Sequence, residues 1–129
     1  MTGKCQNLKF GFTAAATSAD TECSSDGERY AQMLTDCKLG FELGYDCAWV
    51  LEHHFTDYFP TPSPIVVMSH LAAAFPGLSL GSCVLVLPWY NPLRLAEEIS
   101  MLSHFCKGDL HLAFGRGTAK IEYDAYDID

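Results

Sequence analysis

Apolar and polar positions along the chain repeat one unit. Leu8-Lys9-Phe10-Gly11-Phe12 alternates with a period of two and predicts a short first strand. Residues 13 to 27, dominated by Ala, Thr, Ser, Asp and Gly, predict a loop. At its end Ser25-Asp26-Gly27-Glu28 matches a capping box, in which the serine oxygen and the glutamate each satisfy an N–H left free at a helix start. Tyr30, Met33, Leu34, Cys37 and Phe41 follow at spacings of three and four, one face of a helix. Gly44 is its expected C-cap, because glycine takes a left-handed conformation at least cost. Cys47 to Leu51 is apolar throughout, the pattern of a strand covered on both faces.

The unit then recurs. Ser63-Pro64 opens a second helix, with serine as cap and proline in the first turn, where its missing N–H is not needed. That helix runs to about Phe75 and stops at Pro76-Gly77. Leu78 to Leu87 holds a third strand, ended by Pro88, and Asn91-Pro92 repeats the cap-then-proline start. Leu95, Ile99, Leu102 and Cys106 mark the buried face of a third helix, closed by Lys107-Gly108. Leu110 to Phe114 is a fourth strand leading into Gly115-Arg116-Gly117-Thr118, and the acidic tail from Glu122 to Asp129 has no clear period.

Strand, capped helix, glycine, strand is the grammar of an α/β fold with a parallel sheet and crossover helices. An open doubly wound sheet and a (β/α)8 barrel both fit. A whole barrel needs about 250 residues, so a chain of 129 residues supplies about half of one. Half a barrel leaves two strand edges and the inward sheet face uncovered, which invites association. The expectation is therefore a fragment of a longer protein, or a chain that associates to complete its sheet.

Composition narrows the partners. With 49% hydrophobic and 19% charged residues the chain reads as one ordinary globular domain. Eight Lys and Arg against sixteen Asp and Glu, a net charge of -8, argue against a nucleic-acid partner. No basic amphipathic stretch suggests a membrane surface, and the apolar run at Val84 to Leu87 is too short to span a bilayer. Cys5, Cys23, Cys37, Cys47, Cys83 and Cys106 are widely spaced with no C-x-x-C pair, and the first seven residues lack the apolar core of a secretory signal. The expectation is free thiols in a soluble, cytoplasmic protein.

Candidate chemistry gathers where Trp49-Val50-Leu51 runs into Glu52-His53-His54. Ligands in parallel α/β folds bind outside the carboxyl ends of the strands. Adjacent histidines on an extended backbone point to opposite sides, so only one of His53 and His54 can face a pocket. A histidine there can move a proton near neutral pH. Glu52, His53, His54 and Asp57 are also legitimate metal ligands, although no H-x-H or H-E-x-x-H spacing is present. His70 and His104, inside helices, read as structural or surface residues. Gly115-Arg116-Gly117-Thr118 follows the fourth strand, where glycines admit a ligand to the backbone and arginine can fork onto a phosphate. There is no G-x-G-x-x-G after the first strand and no G-x-S-x-G elbow.

Trp49 to Thr56, Gly81-Ser82-Cys83-Val84-Leu85-Val86-Leu87-Pro88 and Gly115-Arg116-Gly117 together closely resemble the bacterial luciferase-like flavin monooxygenases. Asn91-Pro92-Leu93-Arg94 with Ala96-Glu97-Glu98, and Lys107-Gly108, fit the same pattern. The resemblance implies the N-terminal half of a (β/α)8 TIM barrel, with residues 1–129 one partial domain covering about the first four strands. It implies an enzyme in which reduced FMN and O2 oxidise an aldehyde or other small organic substrate, with a separate flavin reductase supplying the FMN and a dimer in the complete protein. F420, which replaces FMN in some relatives, is the alternative cofactor.

By the same resemblance His53 is the catalytic residue. Cys83 and Val84 fall where several members have a non-prolyl cis peptide beneath the flavin ring, and Arg116, Gly117 and Thr118 fall on part of the flavin phosphate site. Gly115 stands where the luciferase α subunit has a reactive cysteine, so a non-luminescent monooxygenase is expected. A non-catalytic flavin-binding relative or subunit, and a metal-dependent TIM-barrel hydrolase built on Glu52-His53-His54, are the competing readings. The half barrel alone is expected to bind flavin weakly or not at all.

Overall fold

The computed structural model describes residues 8–17 and 25–128, in which strands and α-helices alternate, with a short 3-10 turn at Leu87–Trp89 between the third strand and the third α-helix. The elements are β1 (Gly11–Ala14), α1 (Asp26–Glu42), β2 (Cys47–Val50), α2 (Pro64–Ala74), β3 (Ser79–Val86), α3 (Pro92–Phe105), β4 (Leu110–Gly115) and α4 (Lys120–Tyr126). The strands form one parallel sheet in the order β1-β2-β3-β4, as the repeated unit predicts. Thr13, Trp49, Gly81 and His111 lie level across it.

Local chemistry sets the helix ends. Ser25 and Glu28 close a full capping box, the Ser25 N–H donating to Glu28 Oε2 at 2.7 Å and the Glu28 N–H to Ser25 Oγ at 3.3 Å. At the other end of α1 the N–H groups of Gly44 and Tyr45 donate back to Phe41 and Gly40, and Gly44 takes φ 81°. This is a Schellman ending, with Leu43 as the cap and glycine one residue beyond it. Ser63 and Asn91 cap α2 and α3, each followed by proline in the first turn.

The main hydrophobic cluster lies between the sheet and its helices. Ala14, Ala48, Val50, Leu80 and Leu85 pack against Met33, Cys37, Met68, Leu71 and Leu102. Burial pushes the Cys37 and Cys47 thiols up to about 11, so both stay protonated and pack as small apolar groups. Cys37, Cys47, Cys83 and Cys106 are free, and Cys5 and Cys23 lie outside the described residues.

The opposite face corrects the reading of Cys47 to Leu51 as covered on both sides. Trp49 lies there only partly buried, beside exposed Thr13 and His111. Its indole spreads over two glycines: a Cβ on Gly11 would sit 2.5 Å from Trp49 Nε1, and one on Gly81 2.4 Å from Trp49 Cε3. Gly81→Ala is therefore expected to displace the indole and cost about 1–3 kcal/mol, the usual penalty for overpacking. Urea unfolding with tryptophan emission measures both effects, and an unchanged midpoint would show that the indole moves aside freely.

Two predicted boundaries move. The first strand begins at Gly11, not Leu8, because the Phe10 N–H is taken by Asp46 Oδ2 at 2.7 Å. Thr13 and Ala14, expected in the loop, pair with Trp49 and Val50. The acidic tail holds α4, two turns too short to display a period. Among the described residues no helix is long and apolar enough to cross a membrane.

Candidate active site at the strand mouth

The chain turns sharply as it leaves β2. Phe55 adopts φ 56°, an uncommon conformation for a bulky side chain. The loop that follows is tied down at several points. The His53 N–H donates to the Thr61 carbonyl at 3.1 Å, Arg29 donates to the Asp57 carbonyl, and the Tyr30 hydroxyl donates to the Pro60 carbonyl. These bonds fix the exit from β2, and with it the placing of Glu52, His53 and His54.

The three residues have separate fates. Glu52 is 5% exposed and accepts from the Val86 N–H at 2.9 Å through Oε2. Its Oε1 lies 2.9 Å from His54 Nε2, while His54 Nδ1 lies 2.9 Å from the Tyr126 hydroxyl. Both nitrogens of buried His54 are thus engaged. Burial raises the Glu52 pKa more than its bonds from His54 and Val86 lower it. The Glu52-His54-Tyr126 chain ties the end of β2 to the end of β3 and to α4.

His53 differs from its neighbour. Its side chain is 31% exposed, and its ring stacks on Phe59 with centroids 5.3 Å apart and planes at 20°. Its Nδ1 is buried and lies 3.4 Å from Glu122 Oε1, which accepts the His54 N–H at 3.0 Å. His53, His54, Phe55, Asp57, Phe59 and Tyr126 all border one cleft of about 470 Å³. Both histidines therefore border the cleft, against the expectation that only one of them could face a pocket; they differ in that His53 keeps a free ring edge and His54 does not. An apolar groove of similar size, lined by Met33, Val66 and His70, runs between α1 and α2 instead.

On β3, among residues that do not line the His53 cleft, the Cys83–Val84 peptide bond is cis, with Cys83 exposed. The sheet register shifts between Ser82 and Leu85 at the same point. Gly115 packs onto Val84, since a Cβ there would approach Val84 Cγ2 to 2.7 Å. Gly117 takes φ 74° and lies against Val86 and Trp89. Arg116 and Thr118 are exposed, and none of the ion pairs among the described residues uses Arg116.

The structure thus packs Val84 against Gly115, and α4 links the Arg116 backbone to the His53-His54 turn, but Cys83, Val84, Arg116, Gly117 and Thr118 do not line the cleft that His53 borders. Glu122 reaches the His53-His54 turn, and Tyr126 stacks on Trp89 with centroids 5.0 Å apart. The Tyr123 hydroxyl donates to the Arg116 carbonyl at 2.5 Å. Sequence reasoning missed these α4 residues; the only available signal was Glu122, Tyr123 and Tyr126 at spacings of one and three. Among the described residues no group of three or more His, Cys, Asp or Glu side chains could hold a metal ion.

A family model described as luciferase-like monooxygenase matches residues 9–129, nearly the whole chain. The chain belongs to the luciferase-like monooxygenase family. It is 32% identical over 92 residues to the alkanal monooxygenase alpha chain of Photorhabdus luminescens, covering 71% of this chain and 25% of that one. The monooxygenase RslO1 of Streptomyces bottropensis has the same fold, with a TM-score of 0.85, 27% identity and coverage of 95% of this chain and 37% of that one. The oxygenating constituent of 3,6-diketocamphane monooxygenase from Pseudomonas putida, solved in complex with FMN, superposes with a TM-score of 0.83 at 18% identity, covering 94% of this chain and 33% of that one.

The chain spans 26%, 32% and 25% of the length of three curated relatives it matches. The four parallel strands accordingly match part of the TIM-barrel structures of this family. The uncovered sheet face and the outer edges of β1 and β4 are the surfaces that separate this part from a closed barrel.

Proposed function

We propose that this chain is the N-terminal part of an FMN-dependent monooxygenase barrel, with residues 1–129 a partial domain and His53 its proton-handling residue. The observation that carries the reading is His53 itself: a ring held flat on Phe59, one nitrogen buried toward Glu122 and the other edge open at the strand mouth. His54, by contrast, is engaged on both nitrogens.

The residues present fit FMN in kind. Arg116 offers an exposed guanidinium with no ion-pair partner among the described residues, beside glycine backbone, which suits a phosphate. Exposed Cys83 and half-buried Val84 offer an apolar support for a flat ring. When bound, reduced FMN supplies the two electrons that, with O2, place one oxygen atom in an aldehyde or other small organic substrate.

The chain's own contribution is to hold the reacting groups. Arg116, Gly117 and Thr118 bind the phosphate, Cys83 and Val84 support the ring, and His53 accepts or returns a proton at its open nitrogen. Phe59 stacks on the His53 ring, and Tyr126 packs on Phe55 and Trp89 beside it. A separate reductase supplies the reduced flavin. F420 would place different groups at the same mouth, and a titration with each cofactor distinguishes them.

Arg116→Ala is expected to weaken reduced-FMN binding about 10- to 100-fold in the barrel containing this segment, as charge-assisted bonds contribute about 1.5–3 kcal/mol. Anaerobic equilibrium titration measures it. An unchanged dissociation constant would remove Arg116 from the phosphate site. Product formation from reduced FMN and O2 separates a monooxygenase from a flavin-binding relative without catalysis.

A further inference from the structure

Glu122 and His53 are oriented toward each other in a way the proposed proton chemistry does not by itself require. The Glu122 side chain is 3% exposed, and its Oε1 is fixed by the His54 N–H at 3.0 Å. That atom therefore acts as an acceptor. His53 Nδ1, buried and without a hydrogen bond in the resting geometry, lies 3.4 Å from the same oxygen. A bare ring nitrogen there would set one lone pair against another, whereas an N–H would complete the contact with a small ring adjustment.

The other neighbours leave the ring little choice. Phe59 covers one side as a near-parallel stack, and Tyr58 approaches at 5.9 Å with planes at 56°. His54, Glu52 and Tyr126 are engaged with one another. Because Nδ1 is buried while 31% of the side chain is exposed, the exposed part is the opposite edge, which carries Nε2.

We propose that Glu122 is the positioning residue of His53, holding the neutral ring as the Nδ1–H tautomer and leaving the Nε2 lone pair open at the mouth. The assignment rests on the reading of His53 as the proton-handling residue and deepens it: the open nitrogen accepts a hydrogen bond, so the group it meets is an O–H or N–H donor. Which ring nitrogen carries the proton is set by the bond the other nitrogen makes. Glu122 acts through His53 and has no contact with the mouth of its own.

Ring-nitrogen NMR of the 129-residue chain, labelled at histidine and recorded at a pH where the rings are neutral, tests this without flavin, oxygen or turnover. His53 is expected to show a protonated Nδ1 and a bare Nε2. A protonated Nε2, or the averaged pattern of a free imidazole, would overturn the proposal.

Glu122→Met should move His53 to the Nε2–H form while the His54 signals stay in place. Retention of Nδ1–H beside unchanged His54 signals would overturn it equally. Should that variant lose the His54 signals, Glu122→Gln takes its place: it keeps an acceptor oxygen, so Nδ1–H is expected to persist, and a switch to Nε2–H counts against the proposal. If the tautomer is as stated but His53→Ala leaves turnover intact, the functional reading fails and the positioning stands.

Discussion

His53→Ala is expected to lower product formation by about 100- to 10,000-fold, the range that a positioned proton donor or acceptor contributes. The assay supplies reduced FMN, O2 and an oxidisable small substrate to the barrel that contains this segment. Reduced-FMN affinity should change little, because the proposed site holds the phosphate through Arg116 rather than His53. The stability cost should also be modest, since the ring is partly exposed and its Nδ1 makes no full hydrogen bond. His54→Ala makes the contrasting case. It would leave buried Glu52 Oε1 and the Tyr126 hydroxyl without their partner, so lost activity there would accompany lost stability. Turnover by His53→Ala within a few-fold of the parent would end its assignment as the proton-handling residue.

Most of the architecture was legible because its signals are local. The capping box at Ser25, the paired cap-and-proline starts at Ser63 and Asn91, and the glycine after α1 each specify a helix boundary within a few residues. What could not be read depends on distant partners. Phe10 leaves the first strand because Asp46, 36 positions away, takes its N–H. Trp49 reads as a buried-strand residue, yet it faces the open side of the sheet, on space that Gly11 and Gly81 leave.

The site divides the same way. Its residues were visible as ionisable types at the end of a strand. Their division of labour was not: Glu52, a nominal metal ligand, is occupied by Val86 and His54, and α4 supplies the contacts that distinguish His53 from His54. A helix of 7 residues has little intrinsic stability, so it is held by Glu122, Tyr123 and Tyr126 rather than by propensity.

Glu52 should carry the largest stability effect. Glu52→Ala leaves the Val86 N–H and one nitrogen of His54 buried without a partner, at about 1–3 kcal/mol each, or about 2–6 kcal/mol together. Glu52→Gln keeps an oxygen for the Val86 N–H and offers His54 an amide, so it should fold. The two carboxyl states make these variants diverge with pH. Burial raises the folded pKa of Glu52 above its ordinary 4.5. The folded chain therefore keeps a proton there that the unfolded chain loses as pH climbs past 4.5. The stability this group contributes is fully present at acid pH and falls as pH rises through the folded pKa, at up to about 1.4 kcal/mol per pH unit. Glutamine cannot ionise, so Glu52→Gln should gain on the parent as pH rises above 4.5 and level off beyond the folded pKa. Urea unfolding of parent and both variants across that range measures each effect. Parallel parent and glutamine curves would show that burial does not govern Glu52, and a loss under about 1 kcal/mol in the alanine variant would show that the bonds to Val86 and His54 do not hold the strand ends together.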